Sequence, residues 1–428
     1  MSSVHLLQLP PEILAHIFMN LELQDIRNLM FSNKFLLNII LTNNSLWKSI
    51  CKNQLLVRSS SDNRKPIALS CYNRYRISKN WCSGVYRKKL IIQHQVNYMP
   101  WLIFYDSEAL LLSEGSELKC FPTDKKGLPV CKESSWKLES LPVKRNDIRT
   151  NDISRFVVKD NLILCGNRDG NATMYKFDHI RQKPTYLCHI RDCIENGLVE
   201  VSTVEMITSP ANCYILTGSM YSSNLAHWKY EIDETNSKVS CCYYAVLNLS
   251  DGVGIRCLSV HKDMVAIGPN GNSKPLLLDM NTHQLVFSPD ATTKTRQIVR
   301  DIRWHDENTL LYVTHAGKLS LADIRSATVV YNAMDPFQSS MYCVKSDGDR
   351  TIIVGTAENS RVVFFDVRNN ACQTQMYFTQ KRSSPIYSLD FDSTKLIAAA
   401  DRSVAVLNFN VNASSTFQRD YSQRFHIF

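Results

Sequence analysis

Fourteen cysteines and eleven histidines are the side chains of this chain best suited to hold a metal or to act as nucleophile and base. No two cysteines have the C-x-x-C spacing of zinc or redox sites, and no histidines have the H-E-x-x-H spacing of zinc hydrolases. His305 and Asp306 follow Trp304 at the end of an apolar segment, where a turn is the simpler interpretation. Gly252-Val253-Gly254 is an isolated GxG without a phosphate-binding loop around it. The sequence therefore predicts no catalytic residues, no metal site and no cofactor.

The composition is that of an ordinary globular protein. Of 428 residues, 44% are hydrophobic and 21% are charged, which is enough for one large domain and a small one. No run of about 18 apolar residues could span a bilayer, and the amino terminus lacks the basic flank and the cleavage site of a signal peptide. The cysteines then fit a reducing compartment as buried thiols. We therefore expect a protein of the cytoplasm, the nucleus or both, without membrane contact.

The positive charge is concentrated in one segment. Residues 51–100 carry ten basic side chains and one acidic side chain, Asp62, so their surplus of nine equals the net charge of +9 of the whole chain. A nucleic-acid-binding protein normally carries its basic residues on the fold that docks the duplex. Here they lie from Lys52 to Lys89, between other elements. We therefore favour a solvated connector over a nucleic-acid-binding surface.

The opening stretch LPPEILAHIFMNL, Leu9 to Leu21, is too apolar to lie in water and too short to cross a membrane. Pro10 and Pro11 suit the first turn of a helix, where the missing N–H has no partner in any case. Leu14, Ile17, Phe18 and Leu21 then form one apolar stripe with the spacing i, i+3, i+4 and i+7. Ile13 widens this stripe, so both faces of the helix are apolar. Three further short helices follow and make a poor independent core. One face of the first helix must therefore pack on the rest of this chain or on another protein.

Residues 5–51 resemble the F-box motif. The resemblance is carried by Leu9-Pro10, Glu12-Ile13-Leu14, Ile17, Leu21, Leu23, Asp25-Ile26, Leu29 and Leu46-Trp47. In that family the motif is a helical hook that binds the Skp-type adaptor of a cullin-based ubiquitin ligase. The sequence departs from the family at Leu36-Leu37-Asn38-Ile39-Ile40, where basic residues and an aromatic residue are usual. The resemblance implies ten adaptor-binding residues: Leu9, Pro10, Ile13, Leu14, Ile17, Leu21, Leu23, Ile26, Leu29 and Trp47.

Beyond residue 100 one unit recurs, an apolar strand that ends in a small residue, a polar hairpin and a second strand. The ends of these strands lie 41 to 53 residues apart. This series resembles the WD-repeat propellers, with seven units by our count and six or eight as alternatives. The first strands of the units are ALLLS (109–113), LILCG (162–166), YILTG (214–218), MVAIG (264–268), LLYVT (310–314), TIIVG (351–355) and LIAAA (396–400).

A propeller must close into a ring, because an unpaired edge strand invites aggregation. The last unit supplies three strands, and we expect the segment from Leu90 to Gln95 to supply the fourth. Ile77-Ser78-Lys79-Asn80-Trp81, with Gly84, resembles the element that joins F-box and propeller in this family. The predicted organisation is an α-helical F-box domain (1–51), a basic and partly helical connector (52–89), an all-β WD-repeat propeller (90–410) and a carboxy-terminal tail (411–428).

The family resemblance also implies a binding rim. In WD-type propellers the hairpins between the second and third strands of the blades open on one rim of the central channel. Separated cations around such a groove suit an acidic or phosphorylated peptide, although hairpins carry solvated charges in any soluble propeller. The rim residues implied here are Arg168, Tyr221, Lys274, Lys318, Arg361 and Arg402.

Taken together, the resemblance implies a non-catalytic substrate-recognition subunit of a Skp–cullin–F-box ubiquitin ligase. Its expected partners are a Skp-type adaptor, the cullin that this adaptor holds, and an unidentified protein substrate that is acidic or phosphorylated. The alternative is a propeller scaffold that contacts the adaptor without a ligase function.

Overall fold

The computed structural model of the chain describes residues 6–412 apart from several short stretches. Those stretches are 53, 61–66, 94–97, 107, 131–132, 142, 146, 209–212, 234–237, 250–252, 288–297 and 379–383. Most of the predicted carboxy-terminal tail, from residue 413 onward, lies outside the described residues.

The amino-terminal part is helical, as predicted. Pro11 occupies the first turn of the first helix, and the side chains of Asn33, Asn43 and Ser70 accept hydrogen bonds from backbone N–H groups at the starts of three later helices. Caps of this kind satisfy donors that the helix itself leaves unpaired. The helices are α1 (Pro11–Met19), α2 (Leu23–Ser32), α3 (Lys34–Thr42), α4 (Asn44–Cys51) and α5 (Cys71–Cys82).

The rest of the described chain forms seven four-stranded antiparallel sheets. Blade 1 consists of β2 (Leu102–Tyr105), β3 (Ala109–Glu114), β4 (Glu117–Pro122) and β5 (Trp136–Glu139), and blade 2 of β6 (Ile153–Lys159), β7 (Leu162–Asn167), β8 (Ala172–Lys176) and β9 (Thr185–Ile190). Blade 3 consists of β10 (Thr203–Thr208), β11 (Cys213–Gly218), β12 (Asn224–Asp233) and β13 (Lys238–Asn248). Blade 4 consists of β14 (Gly254–His261), β15 (Met264–Asn270), β16 (Leu276–Asp279) and β17 (Gln284–Phe287).

Blades 5 and 6 consist of β18 (Val299–Trp304), β19 (Thr309–Thr314), β20 (Lys318–Asp323) and β21 (Thr328–Met334); and β22 (Met341–Ser346), β23 (Thr351–Thr356), β24 (Arg361–Asp366) and β25 (Cys372–Tyr377). Blade 7 consists of β26 (Ile386–Phe391), β27 (Lys395–Ala400), β28 (Ser403–Asn408) and β1 (Arg87–Gln93). From blade 2 to blade 7 the first strands of consecutive blades contact one another around the central axis. Strand β6 contacts β3 of blade 1, and β2 contacts β26 to close the ring. The predicted helical domain with a seven-bladed propeller is confirmed.

Strand β1 closes the ring from the amino-terminal side. It pairs antiparallel with β28, from Arg87 opposite Asn408 to Gln93 opposite Ser403. Of the predicted closing segment, Leu90 to Gln93 lie in this fourth strand of blade 7, and its last two residues, His94 and Gln95, lie outside the described residues. The strand begins at Arg87, however, inside the stretch expected to be the connector.

The strand that opens each sequence unit is the second strand of its blade, and in four blades packing explains why it ends in a small residue. A Cβ atom at Gly166 would lie 2.6 Å from Val204, and one at Gly218 would lie 2.7 Å from Ile255. Each of these neighbours belongs to the first strand of the following blade, so glycine permits the blades to approach closely. The same holds for Gly268 against Val299 and for Gly355 against Ile386.

Helix α5 joins the helical domain to blade 7 through Trp81. The indole is fully buried, stacks on Phe409 with 3.7 Å between ring centroids, and donates a hydrogen bond from Nε1 to the Ser393 carbonyl at 2.9 Å. Asn80 donates from Nδ2 to the carbonyls of Phe409 at 2.8 Å and Val411 at 2.9 Å. Both residues belong to the predicted junction element, whose role is thus to fix the helices on the propeller.

Candidate functional site

Helix α1 has two apolar faces with different surroundings. Leu14 and Phe18 point inward and have no exposed surface. They pack in a cluster with Leu36 and Ile40 of α3, so the run that departs from the family pattern forms part of the core. Every residue of this cluster lies between Leu9 and Tyr75, and none belongs to the propeller. The inner face of α1 is therefore satisfied within the helical domain.

Three of the ten predicted adaptor-binding residues belong to this core and are buried in the free chain. Leu14, Ile26 and Trp47 are at most 1% exposed. The Trp47 indole also donates a hydrogen bond from Nε1 to the Ile40 carbonyl at 2.7 Å and packs against Tyr72 and Tyr75. Side chains without accessible surface cannot form a docking surface in this conformation. The helical spacing identified an apolar stripe but could not show which residues would turn inward.

The outer face of α1 keeps accessible apolar surface. Ile13 is 48% exposed, and Ile17, one turn later, is half-buried. Phe31, at the end of α2, is 89% exposed, and Phe35, at the start of α3, is 45% exposed. Sequence reasoning missed these two phenylalanines, although Phe31 is out of phase with Ile26 on the same helix. The predicted residues with accessible surface are Leu9, Pro10, Ile13, Ile17, Leu21, Leu23 and Leu29.

The propeller offers a second candidate surface at its other end. Because consecutive strands of a blade run antiparallel, hairpins alternate between the two ends of the ring. Trp81 bonds to Ser393 in the hairpin between the first and second strands of blade 7, and the backbone N–H of Arg58 bonds to Asp347 in the corresponding hairpin of blade 6. The helical domain is therefore at the end opposite the rim. We use rim for the hairpins between second and third strands, at 115–116, 168–171, 219–223, 271–275, 315–317, 357–360 and 401–402.

Five of the six predicted rim residues have accessible side chains in or beside these hairpins: Arg168, Tyr221, Lys274, Lys318 and Arg402. The side chain of the sixth, Arg361, is buried. It is the first residue of β24, its side chain is 1% exposed, and its guanidinium lies 2.7 Å from the Asp335 carboxylate and over the Phe337 ring. A buried cation needs such a partner, so Arg361 serves the packing of blades 5 and 6.

The axis of the ring is occupied by an ion pair between opposite blades. Arg155 of β6 and Asp301 of β18 approach to 2.7 Å, and both side chains are buried. The Arg155 guanidinium also lies 4.1 Å from the centroid of Trp101. Burial opposes ionisation of Asp301, but the guanidiniums of Arg303 and Arg155 hold its pKa below the ordinary value. The carboxylate and guanidinium therefore bridge the ring as charged groups.

Two arginines at the rim end of the axis have no such partner. Arg256 and Arg300 are near the starts of β14 and β18, and neither has a carboxylate within ion-pair distance among the described residues. Arg300 lies over the Tyr342 ring at 4.6 Å and approaches His315 Nδ1 at 2.8 Å. Burial and the charge of Arg300 lower the pKa of Arg256, and the same two causes lower the pKa of His315. We call Arg256, Arg300, His315 and Tyr342 the channel mouth.

The channel mouth is suited to an anion. Two like charges in a partly buried site repel each other, and a bound carboxylate or phosphate would relieve that repulsion. Sequence reasoning missed these arginines because it considered the hairpins alone. The available signal is a single charged residue within a mostly apolar strand, which GIRCLSVH shows for Arg256, whereas VRDIRW contains three charged residues and gives no such signal for Arg300.

The described part of the chain contains no cluster of three or more His, Cys, Asp or Glu side chains arranged to hold a metal ion. No helix among the described residues is long and apolar enough to cross a membrane.

Comparison with known proteins covers both parts of the chain. A family model described as F-box-like matches residues 6–53. The F-box/WD repeat-containing protein 4 of Mus musculus is 23% identical over 371 residues, which is 85% of this chain and 84% of that protein. The protein of the same name from Homo sapiens is 22% identical over 371 residues, covering 85% and 83%.

Among solved structures, the crystal structure of the computationally designed Ika8 protein aligns with a TM-score of 0.50. It is 13% identical and covers 75% of this chain and 100% of its own. At this identity the likeness concerns the fold alone.

Proposed function

This chain belongs to the F-box/WD-repeat family, and from that premise we propose that it is the substrate-recognition subunit of a Skp–cullin–F-box ubiquitin ligase. The observation that carries the proposal is the pairing of an F-box-like helical domain, with an outer apolar face, and a propeller whose rim points away from that domain. One end of the molecule is free for the adaptor and the other for a substrate.

In this proposal the chain performs no chemistry itself. The helical domain docks the Skp-type adaptor and, through it, the cullin. The propeller then holds a target protein near the conjugating enzyme that the ligase recruits. The rate gain comes from proximity, because an encounter between free proteins becomes effectively intramolecular. This role belongs to the cytoplasm, the nucleus or both.

Co-purification tests this proposal. The full chain, expressed with a tag in cultured cells, is expected to bring down a Skp-type adaptor and a cullin together. A scaffold that contacts the adaptor without ligase function would retain the adaptor and leave the cullin behind. Absence of both proteins would reject the ligase role and the scaffold alternative alike.

We further propose that the substrate presents an acidic or phosphorylated segment to the channel mouth. The support is the pair of arginines, Arg256 and Arg300, without carboxylate partners in the described structure. Arginine binds phosphate oxygens through two parallel hydrogen bonds, and a neighbouring aromatic ring such as Tyr342 can flank the bound chain. Replacing one such charge-assisted contact is expected to cost about 1.5–3 kcal/mol.

A double variant, Arg256→Gln with Arg300→Gln, is therefore expected to bind phosphoserine peptides at least about 100-fold more weakly than the wild type, because two charged contacts are lost. Retention on an immobilised degenerate phosphoserine peptide library, compared with its unphosphorylated counterpart, measures the effect. The matched control is Lys274→Gln with Lys318→Gln, which removes the same charge from the exposed rim. Equal losses in both variants, or no loss in the first, would contradict a specific site at the channel mouth.

A further inference from the structure

The outer strands of blades 2 and 3 bring two thiols together. Cys188 lies on β9 and Cys241 on β13, and these strands are neighbours across the gap between the blades. The Sγ atoms are 2.9 Å apart. The two residues are 53 positions apart in the chain, so only the packing of one blade on the next creates this pair.

The surroundings of the pair are apolar. Cys188 is buried, Cys241 is half-buried, and both belong to the cluster that contains Tyr230 and Cys213. Hydrogen bonding to Cys188 and burial both raise the pKa of the Cys241 thiol. No third ligand completes a metal site there among the described residues. The packing of the two blades thus brings two sulfur atoms into contact within an apolar cluster.

We propose that Cys188 and Cys241 are a site of oxidative modification, at which a hydroperoxide converts the two thiols into a disulfide that links blades 2 and 3. The more accessible sulfur, that of Cys241, is the one that meets the oxidant. Its thiolate attacks one peroxide oxygen, the O–O bond breaks, and the products with hydrogen peroxide are a sulfenic acid and water. The Cys188 sulfur then attacks the sulfenic sulfur, the S–S bond forms, and the S–O bond breaks to release a second water.

The oxidation needs one equivalent of peroxide and only a small movement of the sulfur atoms. Two thiols and one hydrogen peroxide give one disulfide and two waters, with the sulfurs oxidised and the peroxide reduced. A disulfide bond is about 2.05 Å long, so the sulfurs must approach by roughly 0.9 Å from their present separation. The link would add a covalent bond between two blades that already contact each other through side-chain packing and through hydrogen bonds such as that from Lys159 Nζ to the Met206 carbonyl. It would also restrict the unfolded chain over the residues between the two cysteines.

The test uses the purified full chain treated with hydrogen peroxide and digested without reduction, followed by peptide mass spectrometry. The expected result is a linked peptide pair containing Cys188 and Cys241, with a loss of about 2 Da that dithiothreitol reverses. Because formation requires a thiolate from a thiol of raised pKa, the link is expected to form faster as the pH rises from 7 to 9.

Variants assign the pair. Cys188→Ser and Cys241→Ser are each expected to lose the linked peptide. Cys242→Ser is the matched control, because Cys242 is the next residue along β13, points to the other side of the sheet and is exposed. It is expected to keep the link. If a serine variant fails to fold, the linked peptide in the wild-type digest still identifies the two cysteines. Absence of the link in wild type, or a dominant link between Cys241 and Cys213 or Cys242, would overturn the proposal.

Discussion

An Ile13→Asp variant is expected to bind the Skp-type adaptor at least about 100-fold more weakly than the wild type, with an unchanged melting temperature. Ile13 is 48% exposed on the outer face of α1, so the free protein tolerates a charge there. In the proposed complex the same position loses about 1.5–3 kcal/mol of apolar burial and must also desolvate a carboxylate. Each 1.4 kcal/mol is a factor of ten in affinity. Titration of the purified chain with adaptor by calorimetry measures the effect.

Leu14→Asp and Gln24→Asp provide the comparison. Leu14 is fully buried among α1, α3 and α4, so its replacement is expected to unfold the helical domain and to lose adaptor binding for that reason. Gln24 is exposed and polar on α2, so a charge there should change neither stability nor binding. If Ile13→Asp binds adaptor as the wild type does, the outer face of α1 is not the docking surface.

A Trp81→Ala variant is expected to lower the free energy of unfolding of the propeller by about 4–5 kcal/mol. Truncation of a fully buried tryptophan leaves a cavity and typically costs 3–5 kcal/mol, and the Ser393 carbonyl also loses its hydrogen-bond donor. The lost stacking partner, Phe409, lies just beyond the last strand of the ring. Urea denaturation, followed by circular dichroism of the sheet, measures the change.

Trp81→Phe is the matched control for packing. It keeps an aromatic ring against Phe409 and removes the indole donor, so its cost should be limited to about 1–3 kcal/mol. If the free energy of unfolding of Trp81→Ala lies within about 1 kcal/mol of the wild-type value, α5 does not stabilise the propeller and the junction is a flexible linker.

The repeat pattern was sufficient to predict the propeller. Each second strand was recognisable because it is buried on both faces and ends in a small residue, and the structure supplies the reason in the close approach at Gly166 and Gly218. The closing strand was predictable because a ring leaves no edge. The start of this strand at Arg87 was not predictable, because basic residues on an exposed edge strand cannot be distinguished by sequence from those of a connector.

The candidate sites were only partly predictable. The F-box resemblance located the helices, but apolar spacing does not separate Leu14, which faces the core, from Ile13, which faces out. The same limit applies to Arg361, whose burial depends on Asp335 in the preceding blade. The channel mouth and the Arg155–Asp301 pair depend on ring closure, which joins residues far apart in sequence. No local pattern encodes such contacts.

The position of β1 also dictates an order of assembly on the ribosome. This strand is synthesised before every other strand of the described ring, whereas its partner β28 follows all of them, and Ser393 and Phe409, which contact Trp81, also come late in that order. Until then the nascent polypeptide carries an unpaired strand and a bare indole. A prematurely terminated product would keep both, so it would present chaperones and the cell's quality-control proteases with a sticky edge that the finished protein conceals.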